Sequence, residues 1–275
     1  MAVVGHVEWV QFARVEHVPA AGEVVHAVDP MEEPAGGGAV AAVQLARLAD
    51  GATLFTALGD DEYGHRSVAR LRELGVEVRA TFVASPTRRA VTLVDDAGER
   101  TITTFGPRLD PLGEAGHEQW EEGLADLDAV YFTAGDVSAL RRAREATRVL
   151  VGSPRARHAL GHGVPLDALV LSRDDAIEAR EAKRVSNEAS VLISTEGARG
   201  GSYEERSGAH GRWSAVELPG PPVDSYGCGD SFAAGLTYGL GAGLPLREAL
   251  HLAACCGAEC LTGRGPYERQ LSGMS

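Results

Sequence analysis

Asp224-Ser225-Tyr226-Gly227-Cys228-Gly229-Asp230 is the stretch on which the reading of this chain turns. Two glycines bracket Cys228, and the residues that follow, from about Ser231 to Leu240, read as a helix. Glycine lets successive backbone N–H groups turn toward one point. A helix N-terminus adds N–H groups that lack intrahelical acceptors and carry partial positive charge. A loop of this build can hold the charge on a phosphoryl group in transfer. A carboxylate at Asp230 stands where it can take the proton of an attacking alcohol. The same residues also suit an ordinary loop with an aspartate near the helix cap. The pattern alone leaves both readings open.

The rest of the chain narrows the choice. It contains a single lysine, Lys183, and no Gly-x-x-x-x-Gly-Lys-Ser/Thr, which excludes a P-loop. Any phosphate must therefore be handled by backbone, arginine and metal. The 275 residues, 44% apolar and 5% aromatic, suffice for one large α/β domain with a core of small side chains. A net charge of −13, spread along the chain, repels nucleic acid and anionic membranes, so neither is an expected partner. Backbone N–H groups and a few arginines can still reverse the field inside a cleft. Cys255, Cys256 and Cys260 crowd on one helical stretch, and Cys228 stands apart. They read as reduced thiols of a cytoplasmic protein rather than a disulfide framework. No leader pattern opens the sequence, and no run approaches the ~20 apolar residues that span a bilayer.

Strands are expected at Ala2–Gly5, Thr53–Leu58, Ala129–Thr133, Ala168–Leu171 and Val191–Thr195, with helices between the last three. Two further strands joined by a turn are expected between Val7 and Val28, and a helix begins after the glycines at 36–38. Arg66–Leu74 and Leu246–Leu261 read as helices. Short strands at Val76–Val83, Ala90–Val94 and Arg100–Phe105 complete the reading. Gly239, Gly241 and Gly243 read as a loop after a helix, not a dinucleotide fingerprint. His158 and His162 have helical metal spacing, but Gly161 and Gly163 break that helix.

The 224–230 segment resembles the C-terminal signature of the ribokinase-like (PfkB) carbohydrate kinases, Asp-Thr-x-Gly-Ala-Gly-Asp-x-Phe, with Ser225 for Thr, Cys228 for Ala and Phe232 matching. Gly59-Asp60-Asp61-x-x-Gly64 is similar to the family's Gly-Asp-Asp-x-x-Gly. Thr195-Glu196-Gly197-Ala198-Arg199-Gly200 is similar to its Thr-x-Gly-x-x-Gly turn. The resemblance covers nearly the whole chain. It implies one α/β domain over 1–275, a ribokinase-like three-layer sandwich with a mostly parallel central sheet. A small β lid would be formed by about 10–34 and 78–106. It implies an ATP-dependent kinase with Mg²⁺ and a small-molecule hydroxyl acceptor, and a homodimer through the lid, as in many relatives. Asp230 would be the catalytic base, and Gly227, Cys228 and Gly229 the anion hole. Thr195, Gly197 and Gly200 would lie along the nucleotide, and Asp224 beside a monovalent-cation site that takes K⁺ in some members.

The sequence departs from the family in the acceptor half. The early Gly-x-x-Asn-x-Asp appears as Gly5-His6-Val7-Glu8-Trp9-Val10. The Gly-rich segment has Val40 where an Asn is usual. Valine cannot hydrogen-bond a sugar hydroxyl. Glu8, Trp9, Gln11, Gly36, Gly37 and Arg89 are the remaining candidates for acceptor binding, with Trp9 able to stack on a sugar or a base. Arg88-Arg89 also suits a solvated strand end. Where the family shows Asn-x-x-Glu beside Mg²⁺-bound water, Ser172-Arg173-Asp174-Asp175 stands, which makes Asp175 the candidate for metal binding through water and Arg173 a candidate phosphate contact. Two alternatives remain open: a nucleoside kinase on the same fold, and a catalytically silent nucleotide-binding regulatory protein.

Overall fold

The buried run Ala2-Val3-Val4 forms β1 (Ala2–Val4) in the computed structural model, which describes residues 1–114, 120, 123, 124 and 127–273. A strand with every side chain buried belongs at the centre of a parallel sheet covered on both faces. β1 pairs in parallel with β4 (Ala52–Gly59) on one side and β8 (Leu127–Phe132) on the other. Beyond β4 lies β5 (Val76–Val83). Beyond β8 lie β9 (Thr147–Gly152), β10 (Leu166–Ser172) and β11 (Ala189–Thr195), all parallel. An antiparallel hairpin, β12 (Gly201–Glu205) and β13 (His210–Trp213), closes the edge of this nine-stranded sheet.

Helices cover both faces. α1 (Gly37–Ala49), α2 (Glu62–Glu73), α5 (Cys228–Gly241) and α6 (Leu246–Leu261) share one core with Val3, Leu54 and Tyr131. α3 (Val137–Ala146) and α4 (Ala176–Val185) share the other core with Val4, Phe132 and Leu150. This is the expected three-layer sandwich. The small residues that dominate the composition let layers approach closely. A Cβ on Gly239 would meet Ala249 Cβ at 2.9 Å, and one on Gly235 would meet Cys256 Sγ at 2.6 Å.

A second, four-stranded sheet stands beside the first in the order β3 (Val28–Ala35), β2 (Glu8–Arg14), β6 (Arg89–Val94), β7 (Arg100–Phe105). Pro30 and Pro34 sit in β3, an edge strand, where a missing N–H is tolerated.

Four expectations need correction. Residues 76–83 pair with β4 in the large sheet, so only the later part of the 78–106 stretch enters the small one. β9 lies where only helix was expected. Its Val149-Leu150-Val151 run follows α3 without an intervening loop, so no turn signal marked it. The β12–β13 hairpin was unmarked for a different reason: its residues are largely polar and only partly buried. Gly239 and Gly241 lie in the last turn of α5, held there by packing against α6 and, for Gly241, against Ala129.

Candidate active site

In an open α/β sheet the crevice for ligands lies at the carboxyl ends of the strands, where the strand order reverses. Here that point is between β1 and β8. The chain leaves β1 through Gly5 and His6 and leaves β8 through Thr133. A Cβ on Gly5 would meet both Gly38 Cα and Thr133 Cγ2 at 2.6 Å, so α1 is set against the end of β1 by the absence of a side chain.

Two helices begin at this crevice without a side-chain cap, α1 after Gly36 and α5 after Gly227. Gly227 has φ 84°, which favours glycine, and a Cβ there would meet Val40 Cγ1 at 2.9 Å. Among the described residues no protein acceptor takes the Gly227, Cys228 or Gly229 N–H. Cys228 also has its thiol raised well above its ordinary pKa by a hydrogen bond with Cys260 and by burial, which keeps it neutral.

Asp230, in the first turn of α5, points its carboxylate at α1. A Cβ on Gly37 would lie 3.0 Å from Asp230 Oδ1 and 3.1 Å from Thr133 Oγ1. Burial raises the Asp230 pKa above the ordinary carboxylate value. Arg155 and Arg100 pull it back, and Glu178 adds to the rise. Arg155 follows β9 in a short 3₁₀ turn (Pro154–Ala156). Its Nε donates to Glu178 Oε1 at 2.6 Å. Glu178 is buried, and its Oε2 accepts the Ser172 N–H at 2.8 Å. Arg100, from β7, donates to Ser225 O and Oγ, both at 3.0 Å, and so ties the small sheet to the loop before Asp230.

Strand alternation divides the candidates of the acceptor half. Glu8, Val10 and Phe12 face inward. Phe12 packs edge-on against Tyr226 at 4.8 Å, and Glu8 lies 3.3 Å from Arg88 Nε. Burial raises the Glu8 pKa, against the pull of Arg88, and the Asp230 charge adds to the rise. Trp9, Gln11 and Arg89 face the other way, into an outer groove of about 190 Å³ shared with Tyr63, Val91 and Phe105. Trp9 and Gln11 both donate to Glu32, and the Arg66 guanidinium covers the Trp9 ring at 4.3 Å. The structure therefore brings Glu8 and Gly37 to Asp230 and does not bring Trp9, Gln11 or Arg89. Gly36 lies alongside, its N–H donating to Tyr226 Oη at 3.2 Å.

The other candidates divide similarly. Thr195 ends β11, with its hydroxyl donating to Leu171 O, and the 3₁₀ turn at Gly197–Arg199 closes on Gly200, φ 79°. Arg173 donates one bond, from Nη1, to Glu196, which also binds Arg212 at 2.8 Å. Asp175 Oδ1 caps α4 at the Ile177 and Glu178 N–H groups. Both Asp224 oxygens accept backbone N–H groups, from Tyr226 at 2.9 Å and Gly265 at 3.0 Å. Asp61, in the glycine–aspartate motif, accepts from the Gly64 N–H, the Thr87 N–H and the Thr87 hydroxyl at 2.7–2.8 Å. It latches the entry of β6, and with it Arg88, to the end of β4.

His6, Arg88, Arg108, Arg155, Glu178 and Thr133 were not among the sequence candidates. Arg88 belongs to the Arg88-Arg89 pair that also suits a solvated strand end, and only Arg89 of the two is a sequence candidate; Arg155 follows a strand that the sequence did not show. Glu178 lies three residues beyond Asp175, one helical turn further on.

The model of the pfkB family of carbohydrate kinases matches residues 1–151 and 166–271. The chain belongs to that family and is a phosphotransferase that acts on a sugar hydroxyl. A fructokinase from Salmonella typhimurium is 29% identical over 280 residues, covering 87% of this chain and 91% of its own. A ribokinase from Dictyostelium discoideum is 31% identical over 116 residues, which span 42% of this chain and 36% of that protein. Among solved structures, a ribokinase from Thermotoga maritima superposes with TM-score 0.75 at 20% identity, covering 98% of this chain and 95% of that one. A ribokinase from Cryptococcus neoformans, solved in complex with ADP, does so with TM-score 0.71 at 21% identity, covering 97% and 95%. Among the described residues no helix is long and apolar enough to cross a membrane.

Proposed function

We propose that this sugar kinase moves the γ-phosphoryl group of ATP to a hydroxyl of a sugar or sugar-like molecule, with Asp230 as the general base. The observation that carries the reading is the placement of the Asp230 carboxylate against Gly37 at the strand-order reversal, between two uncapped helix N-termini. The hydroxyl proton passes to Asp230 as the oxygen attacks. The N–H groups of Gly227, Cys228 and Gly229 face the charge that grows on the phosphoryl oxygens. Arg155 adds positive charge on the β9 side, and the turn at Thr195, Gly197 and Gly200 borders the adenosine half.

Among the described residues no cluster of three or more metal-ligating side chains exists. That suits a Mg²⁺ carried mainly by nucleotide phosphates and water, with Asp175 the one carboxylate offered to its water shell. When bound, the ion neutralises phosphate charge. A K⁺ beside Asp224 would have to share oxygens already accepting two N–H groups. The nucleoside reading rests on Trp9 and on Val10 and Val40 standing for the family's Asp and Asn; the outward position of Trp9 removes the first of these supports. A second copy of the chain would dock on the outer face of the small sheet, where Phe105 is exposed beside Arg89.

ADP release measured against a panel of sugars tests the reading. Turnover should require an acceptor and fall by at least ~100-fold in Asp230→Asn. Full activity in that variant removes Asp230 from the role.

A further inference from the structure

The polar groups around Asp230 are unevenly spent. Val10 and Val40, where relatives of the resembling family carry Asp and Asn, are fully buried in the core and offer the acceptor nothing. Four buried polar atoms around the crevice have no good hydrogen-bond partner: His6 Nδ1, Arg88 Nε, Asp110 Oδ1 and Thr133 Oγ1, with the Tyr131 hydroxyl against Thr133. His6 is 7% exposed and Thr133 is 0% exposed. Buried polar groups are rarely left unpaired in a finished site, so a ligand held in the crevice has these groups to satisfy. Arg155 spends its Nε on Glu178, and among the described residues no protein acceptor takes its Nη1 or Nη2.

The carboxylates present cannot serve as acceptors for a ring of sugar hydroxyls. Glu178 is occupied by Arg155 and the Ser172 N–H, and Asp110 is ion-paired with Arg108, by a hydrogen bond to Oδ2 and at 2.7 Å from Oδ1. Glu8 faces Arg88 at an angle that makes no hydrogen bond, and its burial favours the protonated form. Asp230 is reserved for the transferred proton. Burial lowers the His6 pKa well below its ordinary value, and the positive charges of Arg108, Arg155 and Arg88 lower it further, which keeps the imidazole neutral. Arg108 reaches the same place through a 3.1 Å bond to the Arg155 carbonyl. The cleft is rich in donors and poor in free acceptors.

We infer that the acceptor is an anionic sugar derivative whose carboxylate or phosphate ester is held by Arg88 and Arg155, with His6 and Thr133 binding beside it. An anion accepts several hydrogen bonds and donates none, which matches the groups left over. An uncharged polyol would bring no negative charge to Arg155 beyond Glu178 or to Arg88 beyond Glu8. This inference rests on the kinase reading above and narrows its substrate.

The test uses the full-length protein and matched pairs: fructose with fructose 6-phosphate, and glucose with gluconate. ADP release gives kcat/KM for each. Thermal stabilisation by fructose 6-phosphate, gluconate and inorganic phosphate is read in the presence of ADP, which fills the nucleotide's own phosphate site. The phosphate pair and the carboxylate pair distinguish the two kinds of anion. The expected result is that one anionic member exceeds its neutral partner by at least ~10-fold, an advantage lost through KM in both Arg88→Met and Arg155→Met and partly restored by Arg88→Lys. If no pair turns over, stabilisation by an anion that both methionine variants abolish still supports the inference, and no stabilisation by any of the three overturns it. A neutral sugar used as well as its anionic partner, in an Asp230-dependent reaction, overturns the anion and leaves the kinase reading intact. ADP release indifferent to acceptor and to Asp230 sinks the kinase reading itself.

Discussion

The two sides of the crevice are built from different materials. On the α5 side the ligand would meet backbone: N–H groups of 227–229, a glycine at φ 84°, and a helix start with no cap. Across from it the ligand would meet long side chains, Glu8, Arg88 and Arg108 on the small-sheet side and Arg155 from the turn after β9, each set by another residue's hydrogen bond or ion pair. A backbone site is fixed by the turn that forms it and depends on glycine where that turn needs a positive φ, as at Gly227. A side-chain site can be rebuilt by substitution. The 224–230 loop thus keeps the family's pattern, while the wall across from it has Val10 and Val40 inside it and arginines around it.

The sharpest way to break this contrast is Asp230→Asn. The side chain stays nearly isosteric, so the fold should persist while kcat falls by at least ~100-fold. Stability should move the other way. The Asp230 pKa is raised in the folded protein, so its charge opposes folding once pH exceeds the unfolded value, and that cost fades as pH falls below the folded value. The Asn variant should therefore melt at the same temperature as the parent or higher at pH 7. A variant that melts lower would show that Asp230 holds the loop together rather than serving chemistry.

Glycine replacements compare the loop with itself. Gly227→Ala places a side chain at φ 84° and against Val40, and should cost about 1–2 kcal/mol in a thermal or denaturant melt. Gly229→Ala meets no heavy atom within 4 Å among the described residues, so its stability should be unchanged or slightly higher. If the open space is the phosphate site, Gly229→Ala should nevertheless raise the KM for ATP. Unchanged kinetics in that variant would move the phosphate elsewhere.

The pH dependence of catalysis separates the β9 side from the loop. Asp230 must be ionised to accept a proton, so kcat/KM should fall as pH drops through its raised pKa, above the range of an exposed aspartate. Arg155 is the largest influence pulling that pKa down. In Arg155→Met the acid limb should shift to higher pH, and Arg155→Lys should shift it less. An unmoved limb would disconnect Arg155 from the base.

The fold was legible because buried strands and glycine-marked turns repeat in order, and the loop because Gly-Cys-Gly-Asp before a helix has few structural uses. Gly37 was legible for the same reason. What stayed hidden depends on facing and on strand count. Trp9 and Glu8 are neighbours in sequence, and only the β2–β6 register shows that they look to opposite sides. Arg88 and Arg89 are split the same way. Arg155 could not be placed while β9 was unrecognised. The motif at Gly59–Gly64 was recognisable as a pattern, but its work, anchoring Thr87 through Asp61, involves a partner 26 residues away.

That anchor gives a smaller effect that joins the two regions. Burial would raise the Asp61 pKa, but bonds from Gly64 and Thr87 outweigh it and hold the carboxyl below its ordinary value. Its contribution is then complete above the unfolded aspartate pKa of ~3.9 and is lost as pH falls through the lower, folded value. Asp61→Ala should cost roughly 1–3 kcal/mol at neutral pH and raise the acceptor KM through a loosened Arg88, with little change in the KM for ATP. Equal rises in both would show a general loosening rather than a latch on the small sheet.

The smallest catalytic effect is expected at Trp9. It lies in the second residue of β2, adjacent to Glu8, yet its indole is bound to Glu32 at 3.2 Å and covered by Arg66 on the outer face. Trp9→Phe keeps most of the packing and deletes the N–H donor, so kcat/KM for the acceptor should change by less than about 3-fold, within the weight of one neutral hydrogen bond. Glu8→Gln, one residue away, should change the same ratio more, because it alters the group facing Arg88 inside the crevice. Should the order reverse, with Trp9 the more sensitive of the two, the acceptor would lie on the outer groove, and the assignment of inner and outer faces of the small sheet would have to be exchanged.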